Sequence, residues 1–348
     1  MACVWIEGFE THLNASQQAR KYASVSGSTI SQPGRVFGTA GGPLSWVAVT
    51  PSFGTDNTMI VGFGFRFNAH STLLNTGSQG LYFERGVDEQ AHVEFESTSG
   101  LGVRFHIKRG ATTIATSSYT DFAVWHYVEV KLVLRTGVNG SYELRINGVT
   151  DISGSGVDLA DSGVDGADIH AWRFSANVST ILRLDDMYVL NGTGAVNNDF
   201  LSPSIVEGKV PNANGTTIQW TNNGTGDSFT SVDDAFDQAP DDVGAGGTVG
   251  SDTNGQKDTY NFEDLTQITG TIHAVQLGIQ LGMAAAGTRT VKTKYRDPST
   301  TEADGDSHVV NSTTFDEFTQ VFQENPVSAA PWDVADIDGG QFGMEVVS

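Results

Sequence analysis

Apolar and polar residues alternate with a period of two through most of this chain. Between His126 and Leu134, the side chains of Val128, Val130, Leu132 and Leu134 point one way and those of Glu129, Lys131 and Val133 the other. That is the signature of a strand with one buried face. A turn sequence, T-G-V-N-G, leads to a second alternating run, Ser141–Ile146, and Asn147-Gly148 is a tight-turn signal. Ile169–Ser175 and Ile181–Leu190 repeat the pattern. In Met59–Asn68 the aromatic rings of Phe63, Phe65 and Phe67 share one face, while Gly62 and Gly64 permit close approach on the other.

Shorter strands are expected at Cys3–Phe9, Ser45–Val49, Gly80–Glu84 and Thr112–Ser117. Ala91–Glu96 and Gly102–Lys108 should form a hairpin across S-T-S-G. Residues 12–45 are polar and glycine-rich, with one short strand pattern near Arg35–Phe37. About a dozen short strands separated by turn chemistry predict a β-sandwich over residues 1–200.

Residues 201–256 lose the pattern. They are rich in Asn, Gly, Thr and Asp, and include the acidic pairs Asp233-Asp234 and Asp241-Asp242. An extended linker is expected there, with 205–255 as a segment that wraps a neighbouring molecule. Alternation resumes over residues 257–348, at Thr259–Phe262, Thr271–Gly278, Thr288–Tyr295, Ser307–Asn311, Phe318–Glu324 and Gln341–Val347. These predict a second, smaller sandwich, with a helical turn near Val334–Ile337. The fold class is therefore all-β, two β-sandwich domains.

Composition sharpens this picture. Hydrophobic residues make up 38% of 348, enough for two cores, and 41 glycines against 9 prolines suit many tight turns. The formal net charge is −22. Residues 1–200 carry 13 basic and 19 acidic side chains, and residues 201–348 carry 6 and 22. Such a surface repels phosphate, which argues against nucleic acid and anionic membrane as partners. Cys3 is the one cysteine, so no intrachain disulfide forms and no cysteine metal site exists. A reducing compartment of synthesis is expected. The opening M-A-C-V-W-I-E-G-F-E has neither the basic region nor the apolar run of an export signal, and no apolar run approaches the ~20 residues of a membrane-spanning helix.

Candidate chemistry is sparse. His92-Val93-Glu94-Phe95-Glu96 places two carboxylates on one face of a strand, but lacks the central Asp and third Glu of the E-x-D-x-E strand used by sandwich-fold glycoside hydrolases. The expected place for Glu94 and Glu96 is the solvated side of the strand. Asp185-Asp186 is a weak Ca²⁺ candidate through oxygen ligands. Neighbouring strand residues point to opposite faces, so one Asp is expected to pair with an Arg such as Arg183 or to cap a neighbouring loop. The eight histidines show no metal-ligand spacing, and neither a nucleophile elbow nor a phosphate-binding loop occurs. No cofactor is implied. Trp125 and Trp172 lie among apolar neighbours and are expected in the core. Trp220 and Trp332 lie in polar surroundings and are expected, if exposed, to anchor a partner, together with Phe200 and Leu201 at the domain junction.

The first 200 residues resemble the concanavalin/laminin-G-like jelly-roll superfamily. More narrowly, the chain resembles a group of tailed-phage virion proteins. The motifs carrying that likeness are W-H-Y-V-E-V-K-L-V (125–133), S-Y-E-L-R-I-N-G (141–148), L-D-D-M-Y-V-L-N-G-T-G (184–194), N-N-D-F-L (197–201), V-P-N-A-N-G-T-T-I-Q-W (210–220), D-T-Y-N-F-E-D-L (258–265) and the closing P-W-D-V-A-D-I-D-G-G-Q-F-G-M-E-V. Ser202-Pro203-Ser204 departs from the Gly-Asp turn of the relatives. The resemblance supplies no catalytic residues. It implies a non-enzymatic neck, collar, tail-fibre or decoration protein, assembled in the host cytoplasm, with other virion proteins and further copies of itself as partners. A module binding host-surface glycan is the alternative, and a polysaccharide-cleaving enzyme the third reading.

Overall fold

The computed structural model describes residues 3–9, 21–22, 24–36, 39–70, 79–174, 182–233 and 247–348, with backbone alone over 24–33 and 39–49 and at position 169. The chain divides into two compact units, Met1–Val206 and Glu207–Ser348.

The first unit holds thirteen strands: β1 (Cys3–Glu7), β2 (Ser24–Pro33), β3 (Thr39–Val49), β4 (Thr58–Phe67), β5 (Gly80–Arg85), β6 (Asp88–Thr98), β7 (Gly102–Arg109), β8 (Thr112–Thr116), β9 (His126–Val133), β10 (Gly140–Ile146), β11 (Val149–Val157), β12 (Ile169–Phe174) and β13 (Leu182–Asn191). They form two antiparallel layers. One runs β11-β10-β9-β4-β13-β1 and the other β2-β3-β12-β5-β6-β7-β8, joined through the single pairing of Leu184 with Gly41. The expected strand at Arg35–Phe37 is absent as far as it is described: Arg35 lies in the loop between β2 and β3.

Aromatic rings from the two layers interlock between the sheets. Phe63 of β4 meets Trp172 of β12 edge-on at 4.9 Å, and Phe65 meets Phe105 of β7 at 5.2 Å. Phe95 of β6 touches Phe63, Phe65, Phe67, Phe105 and Phe174. Burying each such ring contributes about 2–3 kcal/mol, and each edge-on pair about 1 kcal/mol more. Val128, Val130 and Leu132 line the same core, as their alternation predicts. Trp172 is fully buried, whereas Trp125 is half-buried just ahead of β9.

The second unit contains β14 (Pro211–Ile218), β15 (Thr221–Asn222), β16 (Val249–Gly250), β17 (Lys257–Phe262), β18 (Val275–Leu281), β19 (Arg289–Arg296), β20 (Glu302–Val310), β21 (Asp316–Phe322), the one-turn helix α1 (Val334–Asp338) and β22 (Gln341–Val346). A five-stranded sheet, β14-β17-β22-β19-β20, packs against the β18–β21 pair through Ile279, Leu281, Val291, Met344 and Val346. A second cluster gathers Tyr295, Phe322, Trp332, Ile337 and Phe342. Asp333 caps α1 by accepting from Asp336 N, and Asp336 reciprocates.

All-β architecture in two sandwich bodies is thus what the chain adopts. The described residues of 201–256 do not form the expected linker, while 234–246, with Asp234, Asp241 and Asp242, lie outside the described residues. Residues 201–206 belong to the first unit, while β14, β15 and β16 are parts of the second. Within the wrapping segment expected at 205–255, these three strands are paired inside their own unit. Asp258, at the start of β17, fixes this segment. Its fully buried carboxylate accepts from Gln219 N (2.6 Å), Trp220 N (2.8 Å) and Tyr260 Oη (2.8 Å). Replacing it with alanine strands two backbone donors, so Asp258→Ala should cost about 2–3 kcal/mol. Urea unfolding of the whole chain checks this, and an unchanged second-unit transition would refute it.

Candidate functional site

Alternation on β5, β6, β7 and β12 sends every second side chain away from the core. Leu81, Phe83, Val93, Phe95, Phe105, Ile107 and Trp172 point inward. The residues between them build a polar outer face. Register sets who meets whom: Tyr82 lies opposite His92, His92 opposite Lys108, Glu94 opposite His106 and Glu96 opposite Arg104. Gly80 lies opposite both Arg173 and Glu94, and its φ of 155° excludes a side chain because a Cβ would strike the Val93 carbonyl. Gly80, itself buried, therefore puts no side chain between Arg173 and Glu94.

Every charge on this face has a partner. Arg104 grips Glu96 with Nε at 3.1 Å and Nη2 at 2.9 Å, and His106 Nε2 lies 2.6 Å from the same carboxylate. The other nitrogen of His106 lies 2.9 Å from Thr116 Oγ1. Lys108 Nζ meets Glu94 at 3.0 Å, and His92 Nδ1 meets Glu89 at 2.6 Å. Arg173 pairs with Glu84 and lies 4.3 Å over the Tyr82 ring, whose other neighbour, His92, stacks at 4.7 Å. Arg104 lies 4.8 Å over Tyr119.

Glu94 and Glu96 do lie on the outward side of β6, as expected, but they are half-buried within ion pairs. Burial pushes the Glu96 carboxyl up, and hydrogen bonds from Arg104 and His106 outweigh it, holding the group below the usual carboxylate range. A carboxyl held low is a poor general acid. The face offers paired, oriented donors and acceptors, the equipment of recognition. Sequence reasoning noted His92, Glu94 and Glu96 and missed Tyr82, Arg104, His106, Lys108 and Arg173. The S-T-S-G turn fixes the β6–β7 register and was signal enough for the β7 residues.

The second polar cluster lies on the outer face of the other layer. Asp185 and Asp186 were expected on opposite faces. Instead a one-residue bulge opposite Gly62–Gly64, with Asp186 at φ 50°, turns both carboxylates toward Arg35. Asp185 Oδ2 accepts from Arg35 N and Asp186 Oδ2 from Arg35 Nε, both at 2.6 Å. Asp185 Oδ1 takes Asp186 N, and Asp186 Oδ1 takes Val206 N at 2.7 Å. The partner is Arg35, not Arg183, and its guanidinium supplies the positive charge considered for Ca²⁺. All four carboxylate oxygens are engaged, and no group of three potential metal ligands occurs among the described residues. Burial and the Asp186 charge push Asp185 up to about 8. Burial raises Asp186 as well, against the pull of Arg35.

Residues 199–206 close over this cluster. Leu201 N donates to Tyr188 Oη, which donates to Glu129 at 2.5 Å, and Arg35 also binds the Ser204 carbonyl. Phe200 lies 4.0 Å beneath the Arg145 guanidinium. Gly62 and Gly64 make room for Tyr188 and Arg35, the close approach their sequence positions predict. Phe200 and Leu201 are therefore half-buried in an intramolecular clasp. Trp220 and Trp332, candidate anchors if exposed, are buried at 8% and 3% exposure, so they do not serve as surface anchors. Their indole N–H groups reach the Gln256 and Phe322 carbonyls, both at 3.1 Å, so each sits in the second unit's core without a polar penalty. A cleft of about 1240 Å³ in that unit is lined by Trp220, Leu281, Val291 and Met344 of the same core.

No family model matches the chain, and no curated protein matches it. Among solved structures, it is similar to alginate lyase Aly36B at 10% identity and TM-score 0.36, over 53% of this chain and 95% of that one. An endo-β-1,4-glucuronan lyase from the fungus Trichoderma reesei gives 12% and 0.36, over 54% and 95%. The carbohydrate recognition domain of Emp47p gives 12% and 0.33, over 49% and 88%.

Proposed function

We propose that this chain is a non-enzymatic binding protein whose first unit holds polysaccharide on the outer face of β12, β5, β6 and β7. One observation carries the reading: four neighbouring strands present a continuous row of guanidinium, imidazole, ammonium and carboxylate groups, locked in place by mutual pairing. Preorganised groups of this kind hydrogen-bond vicinal hydroxyls without losing side-chain freedom on binding. The net charge of −22 argues against a phosphate-bearing polymer on the same surface.

The motifs at 125–133, 184–194 and 197–201 favour a setting for this activity, a virion component that meets host-surface glycan. Mass spectrometry of purified particles of the encoding virus tests that setting; absence of the chain from them rejects it.

Binding is tested on the whole chain with a glycan array, followed by affinity electrophoresis against the glycans found. Arg104→Ala and Arg173→Ala should each weaken binding about tenfold or more, with melting curves confirming that the fold persists. Undiminished binding in both variants, or depolymerisation seen by viscometry, would reject the proposal.

A further inference from the structure

We infer that the polysaccharide taken by this face is uncharged, recognised through the edges of its hydroxyl groups. The inference rests on reading the face as a sugar site and adds the class of sugar.

A polymer of uronic acids needs unspent positive charge. Among the described residues of the row, none is present. Arg104 is committed to Glu96, Lys108 to Glu94 and Arg173 to Glu84. Glu89 faces His92, so carboxylates outnumber permanent cations on the face. An arriving sugar carboxylate would have to displace a resident one from its cation while standing beside the others, and like charges at such range repel. The chain's overall charge of −22 adds long-range repulsion.

Hydroxyl groups face no such obstacle. An ion pair presents a donor and an acceptor side by side, which suits an alcohol that donates and accepts at once. Tyr82 offers no ring face for stacking on a sugar. Tyr82 is 3% exposed, enclosed between His92 of β6 and Arg173 of β12.

The test uses the whole chain in affinity electrophoresis, with mannan and galactan as neutral polymers and alginate and polygalacturonate as uronate polymers, each at 50 and 500 mM NaCl. At least one neutral polymer should bind with less than a twofold change across that salt range, and the uronate polymers at least tenfold more weakly. Glu94→Gln/Glu96→Gln frees Lys108 and Arg104, and should raise uronate affinity tenfold or more in a salt-sensitive way. Tighter binding of a uronate polymer than of both neutral ones by the native chain would overturn the inference and leave the sugar-site reading standing. Binding of none of the four would remove the sugar-site reading itself, and the inference with it. Should the double variant fail to fold by circular dichroism, the native chain's ranking of the polymers decides alone.

Discussion

Arg35→Met should destabilise the first unit by about 3–5 kcal/mol, the cost of leaving the buried Asp186 carboxylate without its cation. Asp186 is 2% exposed and takes the Arg35 side chain, whereas Asp185, 1% exposed, takes the Arg35 backbone N–H, which methionine keeps. The Arg35 guanidinium also lies 5.0 Å over Tyr127 and holds the Ser204 carbonyl, so the substitution loosens the 199–206 clasp as well. Methionine keeps the length of the apolar stem, which isolates the charge. Calorimetry on the whole chain should show one transition lowered and the other in place, because the second unit has its own cores. A shift under about 1 kcal/mol would mean that water already screens the pair. Adding Asp185→Asn and Asp186→Asn to Arg35→Met removes the uncompensated charge and should restore more than half of the loss.

The clasp also shows where sequence reading stops. Phe63, Phe65 and Phe67 were assigned to one face because alternation is local and the strand is regular. The β6–β7 hairpin was legible because a short turn fixes its register. The bulge in β13 was not. Leu182 and Leu184 point inward, then Met187 and Val189 do, so the phase slips by one residue at Asp186. That slip depends on a left-handed backbone at one Asp and on Tyr188 settling against Gly62, facts that no local pattern states.

Edge strands failed for a different reason. The polar run Val149–Val157 is β11, at the rim of its layer, where few side chains are buried and no apolar alternation is needed. The same holds for β14 at the rim of the five-stranded sheet, which is why 201–256 read as a linker. The burial of Trp220 and Trp332 was not legible because their sequence neighbours are polar, whereas distant carbonyls take their N–H groups. Part of the polar face of β12, β5, β6 and β7 shares this limit. Arg173 reaches it through the pairing of β12 with β5, strands about ninety residues apart in the chain.

Two buried groups should make the first unit's stability depend on pH in opposite directions. His170 is fully buried between the layers, its Nε2 has no hydrogen-bond partner among the described residues, and burial lowers its pKa to about 3. Above pH ~6.5 it is neutral folded or unfolded and has no effect. As pH falls below that value the unfolded chain gains a proton the folded chain refuses, and stability is lost at about 1.4 kcal/mol per unit, reaching about 5 kcal/mol by pH ~3. Asp185 works the other way. With a folded pKa near 8, it keeps its proton where the unfolded chain has released one, so its contribution is lost as pH rises toward 8. Between pH ~6.5 and ~8, where His170 is silent, Asp185 alone accounts for a fall of about 2 kcal/mol. Asp186 and Glu129, both raised by burial, push in the same direction. Subtracting native from variant stabilities isolates each group. His170→Phe should gain on the native chain steadily as pH drops from 6.5 to 3, and Asp185→Asn should flatten most of the fall between 6.5 and 8. Urea titrations, following the transition that Arg35→Met moves, supply both curves. A His170→Phe difference that stays constant with pH would show that the imidazole is hydrated in the fold, and an undiminished alkaline fall in Asp185→Asn would place the missing proton elsewhere in the clasp.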